Sequence, residues 1–154
     1  MHWNGNAWTA VPVPVPPLPS GGILDGYLAA SGPGSFWFAY INFDRNINFL
    51  SNGLLRWHRG HWQRLRLPAH FTVFLNAAAQ DGHGGLWVCS PDQIYHYARG
   101  RWIQQPVPGR DPSCNAMAWI PHTESAWAVG SLRTASLDLE GAILRYARTR
   151  PQPS

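Results

Sequence analysis

Eight carboxylates, seven histidines and two cysteines are the side chains of this 154-residue chain with the most chemistry in them, and their spacing decides what they could do. Cleaving a glycosidic bond needs two carboxyl groups facing each other across a sugar. Most of the carboxylates (Asp44, Asp81, Asp92, Asp111, Glu124, Asp138 and Glu140) fall in turn-like sequence, where an Asp bonds its own backbone. Asp25 stands apart, because the start of the same small-residue strand carries Asn76 and then Asn115 at spacings of 51 and 39 residues. Such a series either caps inner-strand backbone groups or lines a site for a cation or polar ligand. The histidines (His2, His58, His61, His70, His83, His96 and His122) show no metal spacing backed by a carboxylate, although His58 and His61 share one turn. Cys89 and Cys114 lack the close spacing of a zinc knuckle; the apolar strand around Cys89 favours buried free thiols, with one disulfide as the alternative in a secreted chain. No nucleophile elbow or phosphate loop is present, so the residues point to no catalytic group, no metal and no cofactor.

These residues must be held by something, and composition says what. The chain is 45% hydrophobic, enough for a core, and its nine Trp, 15 Gly and 14 Pro beside 13% charged residues describe short strands cut by turns. All-β is the expected class. Every one of the twelve basic residues is Arg, and a net charge of +4 without a concentrated stripe argues against a nucleic-acid partner. Arg56, His58, Arg59, His61, Arg64 and Arg66 are expected on a solvated outer rim. The Pro-broken run from Ala10 to Pro19 reads as an extended connector too short to cross a membrane, and the N-terminus shows no leader peptide.

A phrase of hydrophobe, base, aromatic, turn and Trp recurs at residues 2–8, 54–62 and 94–102, and starts again at 143–146. Two further strands precede it each time, the second carrying Trp37, Trp87 and Trp127 at spacings of 50 and 40 residues. Four antiparallel strands per period of 40 to 50 residues are the mark of a β-propeller blade. The expected blades cover 22–67, 71–108 and 114–147, with residues 1–12 an outer strand that the last blade lacks. Segments Ile41–Asn52 and Leu132–Gly141 read as insertions leaving the same blade corner, which makes that face the expected binding surface. Tyr40 and Phe49 beside the first insertion are the aromatic candidates for a ligand, joining Asp25, Asn76 and Asn115, whereas the repeated Trp residues are read as packing.

The stretches from His2 to Pro12 and from Ser125 to Ser131 resemble the repeat of Kelch-like or BNR-type bacterial β-propellers, although they lack the Ser and Asp of the sialidase Asp-box. The resemblance implies the fold and a secreted or surface setting, and says little about activity. Three blades are fewer than the four to eight that close a ring. A head-to-tail pair of chains giving six blades is therefore the expected assembly, with a fragment of a longer chain or another oligomer as alternatives. The expected function is a non-enzymatic binding or scaffolding module with a carbohydrate or protein ligand; the alternatives are a lectin-like propeller, or a glycoside hydrolase or lyase working at the channel mouth.

Overall fold

Short runs of aromatic and aliphatic residues, cut by Gly, Asp and Ser, leave hairpins as the available local structure. The computed structural model describes residues 1–3, 5–32, 34–68, 71, 76–90, 93–107, 110–133 and 138–147, and all regular structure among them is strand. Strands β1 (His2–Trp3) and β2 (Trp8–Thr9) pair as a small ribbon. A first sheet runs β3 (Ile23–Gly32), β4 (Ser35–Phe43), β5 (Phe49–His58) and β6 (His61–Leu65) in chain order. The second repeats this with β7 (Ala77–Gln80), β8 (Leu86–Cys89), β9 (Ile94–Ala98) and β10 (Arg101–Gln105). The third has β11 (Arg110–Trp119), β12 (Ala126–Arg133) and β13 (Leu139–Tyr146). All pairings are antiparallel. The tight turns at Arg59-Gly60 and Arg99-Gly100 place both central residues at positive φ, the form whose twist matches flanking strands.

Register makes the three sheets copies of one another. Ala29, Trp37 and Arg56 lie side by side across the first sheet, Ala79, Trp87 and His96 across the second, and Ala118, Trp127 and Arg145 across the third. The Trp37 face, with Ala39 and Leu54, packs on Leu86, Val88 and Tyr95 of the second sheet. The Trp87 face, with Cys89 and Ile94, packs in the same way on Ala126, Ala128 and Tyr146 of the third. First strands β3, β7 and β11 adjoin in turn, so the sheets succeed one another around their inner strands.

Several expectations change. Ile41–Asn52 is not a loop: strand β4 continues to Phe43 and β5 begins at Phe49, with Phe43 opposite Phe49 and Ile41 buried. Alternating apolar residues simply lengthen the hairpin, leaving a turn at Asp44–Asn48. The Asp44 carboxylate accepts from the Asn48 side chain and from the Asn46 and Asn48 backbone N–H groups, and these bonds, the side-chain one foremost, hold it below the usual carboxylate range. The Leu132–Gly141 segment likewise contributes to β12 and β13, while its residues 134–137, like Pro91-Asp92, lie outside the described residues. Among the described residues, 1–12 hold no strand paired to β13; beyond the β1–β2 ribbon, the Pro12 carbonyl accepts a hydrogen bond from Trp62 Nε1 at 2.7 Å.

The cysteines are paired. Cys89 at the end of β8 and Cys114 within β11 have Cα atoms 6.1 Å apart and form a disulfide, because sheet packing brings the end of β8 against β11. The free-thiol reading considered only each Cys within its own strand. Asn76 sits at this seam, donating its backbone N–H to the Cys89 carbonyl and its Nδ2 to the Cys114 carbonyl. Gly130, opposite Cys114, has the Ser113 carbonyl where a Cβ would stand, so Gly130→Ala should cost about 1–3 kcal/mol in urea unfolding.

Candidate functional site

The β7–β8 turn, Asp81 to Gly85, is built around one carboxylate. Asp81 Oδ1 accepts from the His83 and Gly85 backbone N–H groups at 2.8 and 2.7 Å, and Oδ2 meets His96 Nε2 at 3.0 Å. Gly82 and Gly84 take positive φ, and a Cβ on Gly82 would strike the Trp119 ring. Burial pushes the Asp81 carboxyl up, but the bonds from His96, His83 and Gly85 outweigh it and leave it below its ordinary value. The His96 ring lies flat on Trp87, centroids 4.1 Å apart and planes within 2°. Trp87 Nε1 in turn donates to the Glu124 carbonyl at 3.1 Å. A polar line thus runs from the second sheet's turn into the third sheet's.

Above this line opens a cleft of about 330 Å³, lined by Arg56 from the first sheet, Asp81, His83, Tyr97 and Arg99 from the second, and Glu124 from the third. The Arg56 guanidinium sits over Trp37, 5.0 Å from the ring centroid. Its Nε is buried with no hydrogen-bond partner, and among the described residues no carboxylate lies within ion-pair distance of it. A planar cation held by an aromatic face, with donors still to be met, can take a carboxylate, sulfate or phosphate.

The residues singled out from sequence lie elsewhere. Asp25 is exposed on β3 and accepts from Gly26 N, Asn115 is exposed and accepts from Ser113 Oγ, and Asn76 bridges the disulfide seam. Nor do they occupy equivalent positions. Relative to the aligned Trp residues Asp25 is one residue out of register with Asn76, which turns its side chain to the other face, and Asn115 is the extra residue of a bulge between Cys114 and Ala116. Tyr40 is 0% exposed against Gly53, whose missing side chain makes room for the ring, so it presents no surface to a ligand; Phe49 is exposed. The rim reading holds for His58, Arg59, His61, Arg64 and Arg66, all exposed, but Arg56 turns inward. Its register opposite Trp37 was the usable signal. The cleft also lies at the end of the sheets away from the Asp44–Asn48 turn, not on the expected face.

Among the described residues no three of His, Cys, Asp and Glu gather to hold a metal ion, and no helix is long and apolar enough to cross a membrane. Compared with known proteins, the chain matches no family model and no curated protein.

Proposed function

We propose that the chain is a non-enzymatic binding module made of propeller blades, and that its cleft takes an anionic group, a carboxylate first of all. The observation that carries this is Arg56, fixed over Trp37 with a buried Nε lacking a partner. Arg99 and His83 line the same cleft and add positive or donor character to its mouth. Acidic glycans suit it best among carbohydrate ligands, since a uronic acid offers both a carboxylate for Arg56 and hydroxyls for the surrounding polar groups. The disulfide suits an oxidising compartment, which fits a secreted or surface setting.

The hydrolase reading is weaker for a physical reason. Two carboxylates line the cleft, but both oxygens of Asp81 are already engaged, Oδ1 by the His83 and Gly85 N–H groups and Oδ2 by His96, so it is held for the turn rather than presented to a sugar. The test is calorimetric titration with glucuronate oligomers and with neutral glucose oligomers. The acidic series should bind and the neutral one should not, and Arg56→Gln should weaken binding at least tenfold, about 1.4 kcal/mol. Equal binding of both series would remove the anion reading, and turnover of any sugar would remove the non-enzymatic one.

A further inference from the structure

One face of the third sheet is in the wrong environment. Trp127, Val129 and Ile143 are 44%, 40% and 72% exposed. Their counterparts by register, Trp37, Ala39 and Leu54 in the first sheet and Trp87, Cys89 and Ile94 in the second, are all at or below 1%. The difference has one cause. In the first two sheets this face is covered by the opposite face of the sheet that follows, and after β13 no further sheet follows within the described residues.

The first sheet shows the other half of the same junction. In the second sheet the covering face consists of Ala78, Leu86, Val88, Tyr95, Tyr97 and Trp102. Register aligns these with Leu28, Phe36, Phe38, Leu55, Trp57 and Trp62 of the first sheet, where Leu28 is 66% exposed, Phe36, Phe38, Trp57 and Trp62 are half-buried and Leu55 is buried. Around Leu28, Phe36 and Phe38 lies an apolar cleft of about 610 Å³, rimmed by Trp8, Val11 and Val13 from the N-terminal segment. One chain therefore carries both an uncovered Trp face and, around Leu28, a partly open face of the kind that covers it.

We infer that a second copy of this chain docks head to tail, the Trp127 face of each protomer seated on the Leu28–Phe38 face of the other. The occupant follows from continuity: the chain makes this contact twice internally, and a second copy offers the same partner surface in the same orientation. Two protomers contribute three sheets each, and six lies within the range that closes a ring, whereas a lone chain leaves the Trp127 face and the Leu28 cleft in water. In such a pair Arg145, the register equivalent of Arg56, meets the turn preceding Phe36 in the partner. The inference is independent of what the Arg56 cleft binds.

Sedimentation velocity on the intact chain at micromolar concentration tests it, with twice the 17.2 kDa chain mass expected. Ile143→Arg and Leu28→Arg alter exposed positions, so each variant should keep the wild-type far-ultraviolet spectrum while its self-association falls at least about a hundredfold, an unpaired charge being buried in an apolar interface. Mixing the two variants should restore a dimer, because one junction then joins an unaltered Trp127 face to an unaltered Leu28 face. A wild-type monomer across the concentration range overturns the inference. So does a Leu28→Arg variant that still dimerises, the result expected if two Trp127 faces met each other.

Discussion

Asp81→Ala should lower stability by about 3 kcal/mol or more in urea unfolding, since it strips the acceptor from two backbone N–H groups and from the buried His96, each orphaned group costing about 1–3 kcal/mol. Asp81→Asn keeps an oxygen for the turn and should cost less, about 1 kcal/mol. Acid separates the variants further. Because the folded-state value of Asp81 is depressed, its ionisation adds stability that is fully present above the ordinary carboxylate value near 3.8 and disappears as pH falls through the lower folded value. Wild-type stability should therefore fall below about pH 4, and the acid limb of Asp81→Asn should be shallower. An identical acid limb in both proteins would mean that this carboxylate is not the group responsible.

Loss of the Cys89–Cys114 bridge has the next largest expected effect. Its 25-residue separation closes a loop whose freedom in the unfolded chain is restricted, and removing that restriction costs about 3 kcal/mol. Reduction of the wild type with dithiothreitol and the double variant Cys89→Ser with Cys114→Ser should shift the urea midpoint downward by similar amounts. The double variant should then be indifferent to reductant. Two titratable thiols in the native, unreduced protein would contradict the pairing outright. The bridge ties the second sheet to the third at the seam where Asn76 already joins them, so its loss should loosen that junction rather than the hairpins themselves.

Both effects concern contacts between segments, and this marks the boundary of what could be read from residues alone. The strands were legible because their causes are local. Period-two apolar patterning, and Gly60 and Gly100 at two-residue turns, specify hairpins wherever they occur. The Trp series at spacings of 50 and 40 residues predicted the register rows later found around Trp37, Trp87 and Trp127. Reading Asp25, Asn76 and Asn115 as equivalent failed by a single residue, and in a strand one residue is the difference between opposite faces.

What the chain determined by its sequence alone was an all-β protein made of repeated antiparallel sheets with aromatic cores. Tertiary structure decided the rest. Cys89 found Cys114 and Arg56 moved from an expected rim to the wall of a cleft because each depends on how one sheet lies on the next, while Asp81 found His96 through the pairing of three strands within the second sheet. Hairpin pairing follows from neighbouring residues and their turns. Which faces meet is set by summed packing over distant segments, a quantity that no local spacing encodes.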